Sequence, residues 1–140
     1  MDSNLPKHLT LEVVTPEGLL LREEVDDVTA PGEQGYFGVR PGHTPFLSTL
    51  GAGEISYGRD HRRFHMTCFW GFCEVLPDRV SILAEIGERA EDIDVQRAEA
   101  ALQRAQERLK AVKDEAGFGQ AHDDYVKAVT RLAVGRKRSG

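Results

Sequence analysis

Apolar side chains occupy every second position at Leu9, Leu11 and Val13, with Thr10 and Glu12 between them. That period of two predicts a strand with one buried face. Pro16-Glu17-Gly18 predicts the turn that follows, and Leu19–Leu21 and Val25–Val28 read as short strands. Further strands are predicted at Phe46–Leu50, Glu54–Tyr57, Phe64–Phe69, Phe72–Leu76 and Val80–Ala84. Turn signals separate them at Gly51-Ala52-Gly53, Gly58-Arg59-Asp60, Gly71 and Pro77-Asp78. Many short strands at close spacing, with no helical crossover between them, predict an antiparallel sandwich or barrel rather than a parallel sheet.

The pattern changes near residue 87. Apolar residues then recur at Val95, Ala98, Leu102, Ala105, Leu109, Val112 and Ala116, a helical stripe with alternating steps of three and four. Gly117-Phe118-Gly119 predicts its end, and a second stripe follows at Ala121, Tyr125, Ala128 and Leu132. Asp123 and Lys127 are spaced for an ion pair along that second helix. The short break predicts an antiparallel helical hairpin. The chain therefore divides into a β domain, residues 1–87, and a helical hairpin, residues 88–140. Both stripes are mostly alanine, which favours helix but buries little area, so the hairpin is expected to grip its surroundings weakly.

Composition sharpens that division. All 6 prolines precede residue 87, as do most of the 14 glycines, while alanine dominates afterwards. The formal net charge is −5 over 140 residues, and the acidic excess lies in the first part. That balance argues against general nucleic-acid binding, which needs a basic excess. No apolar run approaches the length of a membrane span, and Met1–Thr10 lacks an apolar signal core. The two cysteines, Cys68 and Cys73, fit a reducing compartment.

Candidate chemistry is sparse. Gly35-Tyr36-Phe37-Gly38-Val39-Arg40-Pro41-Gly42-His43-Thr44-Pro45 is the densest special segment. Pro41-Gly42 fits the centre of a type II turn, and Tyr36-Phe37 offers an apolar docking surface. The glycines resemble a phosphate cradle only in spacing, with no Gly-Lys-Ser/Thr and no following helix. His61, His65, Cys68 and Cys73 lie close in sequence, but their spacing matches no zinc pattern, so no metal is expected. Asp94 reads as a helix N-cap, and the same turn with Arg97 could instead form an anion site. Arg136-Lys137-Arg138 is a basic tail, suited to solvent or to an acidic partner. No nucleophile, metal-hydrolase or paired-carboxylate constellation emerges, which points to a binding or regulatory protein.

Gly35-x-x-Gly38-Val39-x-Pro41-Gly42-His43-x-Pro45, after a strand ending Val14-Thr15-Pro16, resembles the epsilon subunit of bacterial and chloroplast F-type ATP synthases. Gly71-Phe72-Cys73-Glu74-Val75, Val80–Ala84 and Ile93-Asp94-x-x-Arg97-Ala98 follow in the family's order. The likeness runs from about Leu9 to Val134.

The resemblance implies a ten-stranded flattened β-sandwich followed by two helices, and a non-catalytic place in the central rotor stalk. It implies docking on the gamma subunit and the c-ring through Gln34, Gly35, Tyr36, Phe37, Gly38, Arg40, Pro41, Gly42 and His43. Tyr36 stands where many relatives carry an acidic residue, so contact there would be aromatic. It further implies that the helices extend into the alpha/beta head and restrain ATP hydrolysis. No cofactor is required, but ATP is a candidate regulatory ligand, as in some bacterial members. Its site would comprise Glu88, Ile93, Asp94, Arg97, Ala98, Arg104, Lys127 and Arg131, with Lys127 where an arginine is usual. The implied location is the cytoplasmic face of a bacterial inner membrane, without insertion. The alternative from the residues alone is a stand-alone β-sandwich that senses a nucleotide or another small ligand.

Overall fold

The alternation at the start of the chain does form a strand. In the computed structural model, which describes residues 6–137, β1 (Leu9–Thr15) buries Leu9, Leu11 and Val13 completely. It is followed by β2 (Gly18–Val25), β3 (Asp27–Gly32), β4 (Gly35–Val39), β5 (Phe46–Arg59), β6 (Arg62–Leu76) and β7 (Arg79–Arg89). A 3-10 turn, Ala90–Asp92, leads to α1 (Val95–Ala111) and α2 (Glu115–Gly135). The strands form one hydrogen-bonded order, β2-β1-β7-β6-β5-β3-β4, folded into a sandwich around a shared core. The division expected after residue 87 falls inside β7, which runs on to Arg89. The sheet is also not purely antiparallel, because β1 pairs with β7 in parallel. Parallel neighbours need a long connection, and here β2 to β6 provide it.

β5 and β6 are 14 and 15 residues long, where the sequence predicts two short strands each. Gly51-Ala52-Gly53 and Gly71 are not turns. They mark the line at which both strands pass from one layer of the sandwich to the other. Met66 and Cys68 belong to the core on one side of Trp70, Cys73 and Val75 on the other. The inward-facing positions therefore switch from even to odd within β6. A strict period of two cannot do this, so the backbone must deviate once. It does so at Trp70, whose φ is 60°. The registers Leu50↔Gly71 and Ala52↔Phe69 set Gly51 opposite Trp70. The inward pairs Cys68↔Gly87 and Cys73↔Ile82 show β7 switching with its neighbours. Counting the layer segments of β5, β6 and β7 separately reconciles 7 hydrogen-bonded strands with the larger number that the resemblance implies.

The turns follow local chemistry. Asp60 and His61 both have positive φ, 54° and 63°, and close the β5–β6 hairpin one residue beyond the expected Gly58-Arg59-Asp60. Two such residues match the twist of the flanking strands. Pro77-Asp78 joins β6 to β7 where the sequence places it.

The helical hairpin breaks earlier than its glycines suggest. Val112, Lys113 and Asp114 join the helices, and Gly117 and Gly119 lie inside α2. Asp114 caps α2, its Oδ1 accepting from the Gly117 N–H at 2.6 Å. A Cβ on Gly117 would stand 2.8 Å from that oxygen, so this glycine makes room for the cap rather than ending a helix. The helices are antiparallel, with Arg108 bonded to Asp124 at one end and Arg136 to Glu99 at the other. Ala98, Ala105, Ala121, Ala128 and Leu132 are buried, and Leu102 and Leu109 are half-buried. Ala90, Ile93 and Val134 form a second small core at the hairpin's root.

Gly71 has no room for a side chain, since a Cβ there would lie 2.1 Å from the Leu83 carbonyl oxygen. Gly71→Ala should lower unfolding stability by about 1–3 kcal/mol, as forced overpacking does. A urea melt checks this, and an unchanged midpoint would refute the crowding.

Candidate functional site

The sequence from Glu88 to Ala98 folds back under the end of α2. Glu88 is held at its strand position by Thr67, a fully buried residue of β6. The Thr67 hydroxyl donates to Glu88 Oε1 and accepts from the Glu88 N–H, each at 3.0 Å. Arg131 of α2 reaches down to the same carboxylate, its Nε donating at 2.9 and 3.2 Å. Asp94 caps α1, with Oδ1 accepting from the Arg97 N–H at 3.1 Å. Between these elements lies a cleft of about 400 Å³, lined by Glu88, Asp92, Ile93, Asp94, Arg97, Ala98, Ala101, Arg104 and Arg131. A second cleft of about 350 Å³ shares Ala101, Arg104 and Arg131 with the first and continues along the hairpin past Arg108, Asp124 and Lys127. All eight residues proposed for a nucleotide site line this continuous groove, seven in the first cleft and Lys127 in the second.

The groove carries both signs, with Arg97, Arg104, Arg108, Lys127 and Arg131 facing Glu88, Asp92, Asp94 and Asp124, and its first cleft is balanced. Arg131 is neutralised by Glu88 and Arg108 by Asp124, whereas Arg97 and Arg104 have no ion pair among the described residues. Alanines floor it, leaving space between the helices. The α1 N-terminus borders it, and the Asp94 carboxylate already takes the anion's place at that end by accepting from the Arg97 N–H. Arg97 and Arg104 are the groups there that could meet a phosphate. The groove contains no nucleophile with a base beside it, and so nothing arranged for covalent catalysis.

Three further contacts tie α2 and the residues just after it to the sandwich. The Arg131 guanidinium lies 5.1 Å from the centre of the Phe69 ring, and Lys127 Nζ lies 5.5 Å from that of Trp70. The ion pair that the spacing of Asp123 and Lys127 suggested does not form, and the Lys127 ammonium lies over the indole instead. Lys137 Nζ donates to Glu54 at 2.6 and 3.2 Å, and Glu54 also meets His65 Nδ1 at 2.8 Å. Of the basic tail, Arg136 and Lys137 are thus engaged within the chain, while Arg138 lies outside the described residues.

The segment from Gln34 to His43 is only partly a loop. Glu33 and Gln34 form a tight turn, and Gly35–Val39 is the edge strand β4. Beyond it, Pro41 and Gly42 occupy the centre of a turn closed by His43 N–H donating to the Arg40 carbonyl at 3.1 Å, with Gly42 at φ 86° as a type II turn requires. Tyr36 is exposed, its hydroxyl accepting from the Glu54 N–H at 3.0 Å. Phe37 is not the exposed partner the sequence suggests, because its ring packs edge-on against Phe46, 5.2 Å away, and against the core.

Two family models match the chain in sequence. "ATP synthase, Delta/Epsilon chain, beta-sandwich domain" covers residues 8–90, and "ATP synthase, Delta/Epsilon chain, long alpha-helix domain" covers residues 91–135. The ATP synthase epsilon chain of Geotalea uraniireducens is 49% identical over 130 residues, spanning 93% of this chain and 92% of its own. That of Syntrophobacter fumaroxidans is 46% identical over 133 residues, spanning 95% and 99%. The chain belongs to the ATP synthase epsilon-chain family. A chain of the Euglena gracilis mitochondrial ATP synthase has the same fold, with a TM-score of 0.83 at 23% identity over 95% of this chain and 84% of its own. One from the central stalk and c-ring of the Tetrahymena thermophila enzyme follows at 0.61 and 14%, over 93% and 97%.

Within this epsilon-family chain the histidines and cysteines of residues 61–73 do not converge. His61 sits in the β5–β6 turn, His65 faces Glu54, and Cys68 and Cys73 are inside the core. Sequence reasoning missed Thr67, Phe69, Trp70 and the Glu54–Lys137 pair. No sequence signal marks them, because each acquires its role from a neighbour on another strand or helix.

Burial pushes both thiols up, from an ordinary 9.0 to about 12. Their folded pKa exceeds the unfolded one, so their contribution to stability is complete below pH 9 and is lost as pH rises toward 12. The native protein should accordingly resist iodoacetamide at pH 8 and become alkylated at both cysteines only after unfolding. Mass spectrometry checks this, and native alkylation would contradict the burial.

Proposed function

We propose that this protein is a non-catalytic rotor subunit of a proton-translocating F-type ATP synthase, coupling c-ring rotation to the catalytic head through gamma. The observation that carries this reading is the match of both family domains, in order, over nearly the whole chain. The sandwich is the docking part, with Gln34 to His43 facing the gamma subunit and c-ring. The hairpin is the regulatory part, and in its extended form it reaches the alpha/beta head and restrains ATP hydrolysis. No helix among the described residues is long and apolar enough to cross a membrane. In this reading, association at the cytoplasmic face of a bacterial membrane runs through these partners.

ATP is the regulatory ligand in this reading. The cleft between Glu88, the α1 N-terminus and Arg131 supports it, with Arg97 and Arg104 as uncommitted phosphate partners. Lys127, a point charge rather than a planar fork, would hold a phosphate less specifically than arginine does. Bound ATP bridges both helices and the end of β7, and so favours the packed hairpin over the extended one.

Two measurements test these assignments. An ATP synthase head with gamma, stripped of its epsilon subunit, receives either the full chain or residues 1–90. Both should co-migrate with gamma, and only the full chain should slow ATP hydrolysis. If neither binds, the rotor assignment fails and a stand-alone ligand sensor becomes the better reading. Separately, ATP at 100 times its Kd should stabilise the isolated chain by about 2.7 kcal/mol, raising Tm. Arg97→Ala should weaken that shift, and no shift with ATP at millimolar concentration would remove ATP as the ligand.

A further inference from the structure

Phe69 and Trp70 are consecutive residues of β6. In a regular strand their side chains would stand on opposite faces. Here the rings lie side by side, 6.3 Å apart and tilted by 47°, and both meet cations of one helix. Arg131 covers Phe69 and Lys127 covers Trp70. Those two cations are four residues apart and share one face of α2. The shared side follows from the left-handed backbone at Trp70, which turns its indole toward the face that Phe69 already occupies. A bulky residue at such a φ is strained. Glycine would carry the layer crossing without that strain, and would provide no ring.

We propose that Phe69 and Trp70 form a two-ring cation platform that seats α2 on the sandwich, with the left-handed backbone at Trp70 aiming the indole at Lys127. The platform needs no ligand, so it stands or falls separately from the nucleotide reading. Its two halves differ. Arg131 is also held by Glu88, whereas Lys127 has the indole and no hydrogen bond or ion pair among the described residues. The Lys127–Trp70 half is thus the one that substitution can isolate. Trp70 is the chain's only tryptophan, so its fluorescence reports directly on this contact.

The test uses the full chain without nucleotide and follows amide hydrogen exchange together with tryptophan emission. Trp70→Asn keeps a residue that tolerates the left-handed region and removes the ring. Lys127→Met keeps the apolar stem and removes the charge. Each should speed exchange of the α2 amides about two- to fivefold relative to those of β5 and β6, the size expected for a half-exposed cation–π contact. The double variant should exchange no faster than the quicker single one. Lys127→Met should also shift the Trp70 emission. The proposal is overturned if Trp70→Asn leaves α2 exchange unchanged, if the two effects multiply, or if Lys127→Met leaves the emission unchanged. Should Trp70→Asn fail to fold, the exchange and emission of Lys127→Met decide alone.

Discussion

The crossing of β5, β6 and β7 between the two layers is the constraint on which the rest of the molecule depends. A strand that serves both layers must exchange its inward and outward faces part-way along. The exchange happens on one line, with Gly51, Trp70 and the tight packing at Gly71 upon it. On the hairpin side of that line, Met66 and Cys68 fill the core while Thr67 and Phe69 turn outward. The outer set is what α2 meets. Without the exchange, the residues that fill the second layer would compete for the positions that now orient Glu88 and support Arg131.

Packing between hairpin and sandwich is correspondingly divided between two kinds of contact. The helices meet each other and the root through small residues, and Gly135 approaches Ile93 and Val95 so closely that a Cβ would lie 3.0–3.1 Å from their methyl groups. Small residues remove little apolar area from water. The remaining contacts are ionic or cation–π, and at half-exposed sites each contributes on the order of 0.5–1 kcal/mol. The seat of α2 is therefore the sum of several weak contacts, none of them dominant. The same cations line the groove between the helices, so the contacts that seat α2 and the groove's charge are set by one group of side chains.

Much of this fold is legible in the sequence, and the parts that are not have a common cause. The alternation of β1, the turn at Pro41-Gly42 and the cap at Asp94 depend on neighbours within a few residues, and these read correctly. The continuity of β5 and β6 depends on a register between strands. A glycine in a strand that crosses layers looks, in one dimension, like a glycine in a turn. Gly117 misleads similarly, because its lack of a side chain serves Asp114 rather than a break. The parallel pairing of β1 with β7 joins residues about 70 positions apart and leaves no local trace. The groove residues were reachable through the family motif at Ile93-Asp94-x-x-Arg97-Ala98. Thr67 and Trp70 were not, since only the folded register brings Thr67 beside Glu88.

The junction at Ala90–Asp94 has a consequence for competition. With α1 and the turn at residues 112–114 it forms a tether that keeps the basic face of α2 near the aromatic and acidic groups that receive it. Within one chain, such groups meet at an effective concentration in the millimolar range for short linkers, whatever the amount of protein in solution. An acidic surface on another molecule must outcompete that local rival before it can take Lys127, Arg131 or Lys137. Contacts that are individually weak can thus hold the hairpin closed against strangers, and yield only to a competitor that is itself confined beside them.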